Sequence, residues 1–187
     1  SLQHPFITKL NAQGRKLWGR TYTQGQAVNC MSLNGNVCAI AMGNWLIQID
    51  ELGYIKWDNM LAEDFNMTAV ASAASRTVYT GTNNGSGYAI SFDANGQKQW
   101  ETSINLPTNG TFTQSYGLAD GSVVSAGTFG NAMQLVRIDA TGKVVYNQTF
   151  NADKNVAFNG MAPAGDNLLW ISLTYDDSDI VVLKLEL

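Results

Sequence analysis

Apolar and polar residues alternate with a period of two along several short segments of this chain. Ile47 and Ile49 fall on one face of an extended segment, as do Ile90 and Phe92, Val136 and Ile138, and Leu183 and Leu185. Gln48, Ser91, Arg137 and Lys184 fall on the opposite face. That alternation predicts half-buried β-strands. Four segments of this kind run into one pattern: Asp or Asn, two residues, Gly, and an aromatic residue four positions after the Gly. The copies are Ile7 to Gly14 with Trp18, Leu46 to Gly53 with Trp57, Ala89 to Gly96 with Trp100, and Leu135 to Gly142 with Tyr146. A fifth strand, Val182 to Leu185, begins another copy.

The pattern predicts a hairpin in each copy. Asp or Asn at the first turn position bonds its side chain to the backbone two residues on, and Gly at the fourth supplies the left-handed conformation that returns the chain to a strand. The aromatic then sits on the returning strand, where it covers the same spot in every unit. Inner hairpins are expected between these outer ones. Ala27 to Leu33 and Val37 to Met42 flank Asn34-Gly35, the strongest short hairpin signal in the chain. Ala69 to Ser72 pairs with Thr77 to Thr80, Phe112 to Tyr116 with Val123 to Ala126, and Val156 to Met161 with Leu168 to Leu173. Segments 83–87, 127–131 and 175–179 read as loops. The nearest helix candidate, Leu61 to Met67, is short and falls where a connecting loop belongs.

The turn glycines recur at intervals of 39, 43 and 46 residues. A period of about 40–50 residues holding four strands marks a β-propeller blade. The predicted fold is therefore all-β, one domain over 1–187, a propeller-like ring of four-stranded antiparallel blades. Its repeat units are 6–22, 27–61, 69–104, 112–150 and 156–187. Four blades are favoured, closed by the strand Arg15 to Tyr22 completing the last unit. Five incomplete blades or a fragment of a larger propeller are the alternatives.

Composition narrows the function classes. Of 187 residues 45% are hydrophobic and 14% charged, and the net charge is −4. The negative balance argues against a general nucleic-acid binder. No stretch is long and apolar enough to span a bilayer, and no secretion signal is legible at the N-terminus, a start that a processed precursor would also show. Cys30 and Cys38 lie on adjacent strands of a tight hairpin but not opposite each other, so a disulfide between them would be strained and two small buried thiols are expected.

The repeat strand-Asp-Ala-x-Gly-x-x-x-Trp resembles the outer hairpin of bacterial propeller repeats, both the quinoprotein-like repeats, whose Trp docks between blades, and the Asp-x-x-Gly-x-x-x-Trp repeats of secreted proteins. Ser115 to Thr128 looks like the inner hairpin of the second group. The resemblance covers nearly the whole chain and implies an extracellular or periplasmic bacterial protein. It departs from the pattern at Tyr146, where Trp is expected. The chain is far shorter than the eight-bladed quinone-binding enzymes with this repeat, so no cofactor is carried over.

Candidate chemistry is sparse. The single histidine, His4, precedes the first strand, which leaves Ser-His-Asp and Cys-His systems without a base. Phosphate-loop and zinc spacings are absent. Glu63-Asp64 and Asp176-Asp177 are the carboxylate pairs that a polysaccharide hydrolase or lyase would use, the alternative reading. Asp176, Asp177 and Asp179 are weak calcium candidates. Asn-x-Thr triplets at Asn66, Asn109 and Asn147 match what chance gives in this composition. The most suggestive residues are aromatics beside amides or carboxylates in the loops between second and third strands: Trp45 with Asn44, Tyr88 with Asn83 and Asn84, Phe129 with Asn131, and Tyr175 with Asp176. Such platforms suit sugar rings, apolar on the face and polar at the edge. The expected function is a non-enzymatic binding or scaffold module presenting that loop face to a protein or glycan.

Overall fold

The computed structural model describes residues 4–24, 26–106, 110–165, 168–176 and 179–186. A leading hairpin pairs β1 (Phe6–Leu10) with β2 (Lys16–Thr21). The first four-stranded sheet holds β3 (Cys30–Asn34), β4 (Val37–Met42), β5 (Trp45–Ile49) and β6 (Ile55–Met60). The second holds β7 (Phe65–Ala73), β8 (Arg76–Asn83), β9 (Ser86–Asp93) and β10 (Lys98–Ile104). The third holds β11 (Gly110–Gly117), β12 (Val123–Phe129), β13 (Ala132–Ile138) and β14 (Val144–Asn151). A three-stranded sheet follows, β15 (Val156–Gly165), β16 (Leu168–Tyr175) and β17 (Asp179–Glu186). Every pairing is antiparallel between chain neighbours. Among the described residues there is no helix: Phe65 to Met67, the end of the helix candidate, opens β7.

The outer turns repeat to within a tenth or two of an ångström. The first side-chain oxygen accepts two backbone N–H groups in every copy: Asn11 from Gln13 and Arg15, Asp50 from Leu52 and Tyr54, Asp93 from Asn95 and Gln97, and Asp139 from Thr141 and Lys143, all at 2.8–3.0 Å. Gly14, Gly53, Gly96 and Gly142 have φ between 75° and 91°, the left-handed region that a Cβ disfavours. A register shift beside each turn marks the bulge that this loop length requires.

The tryptophan after each of the first three turns packs onto the turn of the following blade. A β-carbon on Gly53 would lie 2.8 Å from Trp18, one on Gly96 2.6 Å from Trp57, and one on Gly142 2.7 Å from Trp100. The turn glycine is thus required twice, for its dihedral and for the ring above it. Trp18 Nε1 donates to Glu51 O at 2.8 Å and Trp100 Nε1 to Ala140 O at 3.2 Å, whereas Trp57 Nε1 is buried without a partner among the described residues. Tyr146 instead packs in the apolar cluster between the third sheet and β15–β17.

Nearer the axis, side chains bond across to the backbone of the next innermost strand. Asn29 Nδ2 donates to Met67 O (2.9 Å) and Thr68 Oγ1 to Phe112 O (2.6 Å). The Gln114 amide bonds both Met161 N (2.7 Å) and Met161 O (3.1 Å), so one side chain stands in for a strand partner.

Two expectations are corrected. Segments 83–87 and 127–131 are strand on either side of two-residue turns, Asn84-Gly85 and Gly130-Asn131, because positive φ at Asn84, Gly85 and Gly130 lets the chain reverse with the twist of its strands. The strand 15–22 does not complete the last unit. Its own turn zips it to β1, and Tyr22 Oη donates to Gly53 O (2.9 Å), which fastens the leading hairpin to the β3–β6 sheet.

Candidate functional site

The residues expected on the loop face are mostly inside it. Trp45 is 2% exposed, stacks edge-on to Tyr22, and its Nε1 donates to Asp58 Oδ2 at 3.0 Å. Tyr88 is buried against Phe65, with its hydroxyl 2.6 Å from Glu101 Oε2. Burial and the carboxylate raise the Tyr88 phenol, and the same hydrogen bond, with help from Lys98, holds Glu101 below the usual carboxylate range. Phe129 is buried edge-on to Phe112. The tight turns that carry these rings aim them into the blade, so Trp45, Tyr88 and Phe129 offer no face to a sugar. Tyr175 is half-buried and its hydroxyl bonds Asp153. The polar partners spread apart: Asn44 Nδ2 caps Leu61 O (2.8 Å), Asn84 Nδ2 meets Asp64 Oδ2 (2.8 Å), Asn131 is exposed and Asp176 pairs with Lys154.

The chemistry candidates do not converge. Glu63, Asp64 and His4 are exposed, and Asp177 lies outside the described residues. Among the described residues no three His, Cys, Asp or Glu side chains come together to hold a metal ion. No helix among them is long and apolar enough to cross a membrane.

What the structure does present is a cleft between the leading hairpin and the inner half of the first sheet. It encloses about 420 Å³ and is lined by Ile7 and Leu10 of β1, Trp18 of β2, Met31 and Leu33 of β3, and Cys38 of β4, with Lys9, Asp50 and Glu51 at its rim. Met31 is 53% exposed, Leu33 74% and Leu10 52%. The outer half of the same sheet face is closed, because Ile7 and Tyr22 pack with Ile40, Met42, Trp45, Ile47 and Ile49. Lys9 Nζ reaches Glu51 O at 3.2 Å and ties one wall to the other. Sequence reasoning missed this site. Met31 and Leu33 have the same alternation as covered core residues, and only the position of the neighbouring hairpin leaves them open.

Cys30 and Cys38 are free thiols pointing to opposite faces of the β3–β4 hairpin. Burial pushes Cys30 up to about 12 and Cys38 up to about 11.

No family model and no curated protein sequence matches the chain. Solved structures do. A Bacteroides caccae protein of unknown function superposes with a TM-score of 0.66 at 10% identity, over 100% of this chain and 73% of that one. The WD40 domain of Toxoplasma gondii coronin gives 0.64 at 11%, over 87% of this chain and 45% of its own. Hsv2 of Kluyveromyces marxianus gives 0.61 at 8%, over 91% and 52%. The fold is a β-propeller. The chain spans about half the length of the coronin and Hsv2 structures.

Proposed function

We propose that this chain is a non-catalytic propeller module that binds a protein partner through the cleft between β1 and β3. The observation that carries the reading is the pair Met31 and Leu33, large apolar side chains left open on an ordered strand beside an apolar cavity. A cleft of this volume with few polar groups suits apolar side chains rather than a sugar. The propeller neighbours support a binding or scaffold role by analogy of fold. The scattered carboxylates support no hydrolase reading. The Asp-x-x-Gly-x-x-x-Trp repeat supports grouping the chain with bacterial propeller-repeat proteins that work outside the cytoplasm.

The test uses an environment-sensitive apolar dye, anilinonaphthalene sulfonate. One saturable dye site is expected on the native protein, lost in Leu33→Asp. Leu33 is mostly exposed, so that variant keeps its stability to within about 0.5 kcal/mol. Dye binding unchanged in both Leu33→Asp and Met31→Asp would overturn the reading.

A further inference from the structure

Asn directly precedes Gly at Asn34, Asn84, Asn95, Asn109 and Asn159. A glycine leaves its backbone nitrogen sterically open, so the carboxamide before it is exposed to attack from within the chain. The Gly nitrogen, its proton taken by hydroxide, adds to the Asn Cγ. The bond from Cγ to Nδ2 breaks, and Nδ2 leaves as ammonia with a proton from water. The cyclic imide then takes up one water. Opening at the Cγ carbonyl gives Asp on an ordinary main chain. Opening at the main-chain carbonyl gives isoaspartate, whose main chain runs through Cγ and is one carbon longer. Water is the sole co-reactant.

The fold separates these pairs; Asn109 lies outside the described residues. Asn84 is anchored twice to Asp64, by Nδ2 on Oδ2 (2.8 Å) and by its own N–H on the main-chain oxygen (3.2 Å), with φ at 49°. Beside Asn95 the nucleophile is engaged: Gly96 N donates to Asp93 O (3.1 Å), and the glycine lies beneath the Trp57 ring. Asn159 sits within β15, its Nδ2 on Thr174 Oγ1 (2.8 Å) and Gly160 paired with Ser172 of β16. Each of these locks must open locally before the ring can close. Asn34 is different. It is exposed at the end of β3, and its Nδ2 reaches Ala74 O at 3.3 Å, beyond the usual length of about 2.9–3.0 Å. Gly35 opens the turn to Val37 with φ at 58°, and a β-carbon there would meet nothing within 4 Å. Among the described residues no acceptor holds Gly35 N.

We propose that Asn34 is a modification site: it deamidates spontaneously through an imide with Gly35, and the isoaspartate that forms reshapes the cleft. The turn is part of the cleft wall, which Leu33, Gly35, Asn36, Val37 and Cys38 line. A longer main chain at 34 displaces the Leu33–Cys38 and Asn34–Val37 pairs that set this wall. Deamidation also removes the donor to Ala74 O and sets a negative charge against that carbonyl of the β7–β8 turn. The modification stands on the turn alone. Its effect on the cleft rests on the reading that the cleft binds apolar groups.

The full chain is aged in mildly alkaline buffer. Peptide mass mapping follows each Asn-Gly pair by the mass gain that separates an acid from an amide, and isoaspartate is scored by its acceptance of a methyl group from isoaspartyl methyltransferase. Asn34 is expected to convert at least about tenfold faster than Asn84, Asn95 and Asn159 in the native protein, and the four rates to converge within about threefold in urea. A native Asn34 rate no higher than the other three overturns the modification site. So does a native Asn34 rate at least about tenfold below its rate in urea. Anilinonaphthalene sulfonate then reads the cleft. Its binding is expected to weaken at least about threefold in converted protein, while Asn34→Gln, aged in parallel, keeps it. Unchanged dye binding at full conversion overturns the reshaping, and so does an equal loss in aged Asn34→Gln, which assigns the change to another residue. Fresh protein without a dye site overturns the cleft reading and the reshaping with it, and the mass map still decides the modification.

Discussion

On one face of the β3–β4 hairpin, Cys30, Ala39 and Ala41 pack against Met67, Val70 and Tyr79 of the next blade. On the other, Met31 and Leu33, residues from the same strand as Cys30, stand open beside β1. Along β3 the order runs opposite to a naive hydropathy ranking: Cys30 is half-buried, while the larger Met31 and Leu33 stand open, although Ile40 and Met42 on the same face are sealed. Burial in a propeller is decided between blades. A strand supplies an alternation, and the neighbouring sheet decides which half of it becomes core.

The largest effect that would break this contrast is at the sealed interfaces. Trp57→Ala removes a ring that lies on Gly96 and within 5.4 Å of Phe92, and is expected to cost about 3–5 kcal/mol in urea unfolding. A cost under about 1 kcal/mol would mean that the blades are held by their axial hydrogen bonds instead.

A smaller effect separates the two demands on the turn glycine. Gly14 and Gly96 have nearly the same φ, 75° and 78°, but a β-carbon on Gly14 meets nothing within 4 Å. Gly14→Ala is expected to cost about 1–2 kcal/mol for the dihedral. Gly96→Ala adds about 1–3 kcal/mol for the clash with Trp57. Equal costs would remove the ring from the argument.

The smallest effect leaves stability alone and reads the two faces by their thiols. The thiolate is the reactive form, and burial raises both groups, so alkylation at pH 8 is slow at both and climbs about tenfold per pH unit. Cys38, raised less by burial than Cys30, is expected to react faster, and dye in the cleft protects Cys38 only. Equal rates, or protection of Cys30, would contradict the assignment of the two faces.

Much of the fold was legible because its signals are local. Asn11, Asp50, Asp93 and Asp139 each cap their own turn within four residues. The innermost strands were read less well. β7 begins at Phe65 rather than Ala69 because Asn66 and Thr68 look like loop residues, yet Thr68 spends its hydroxyl on Phe112 O of the next blade. Gln114 is similar: its amide is an axial strand partner that no local pattern announces. The aromatics after the inner turns were legible as a recurring set, but Trp45 and Tyr88 find Asp58 and Glu101 thirteen residues away, on the outermost strand. The cleft was invisible for the opposite reason. It is defined by what lies beside β3, and nothing in the sequence of β3 records that.

The placement of each tryptophan on the turn of the following blade gives assembly a direction. Trp18, Trp57 and Trp100 leave the ribosome some 35 to 42 residues before Gly53, Gly96 and Gly142, the glycines they cover. Synthesis delivers about 5–20 residues per second, N-terminal units first. Each new turn, closed within a few residues by its own Asp, therefore arrives at a ring already in place. For several seconds the growing chain displays one bare indole at its leading edge, the landing point for the blade still being made.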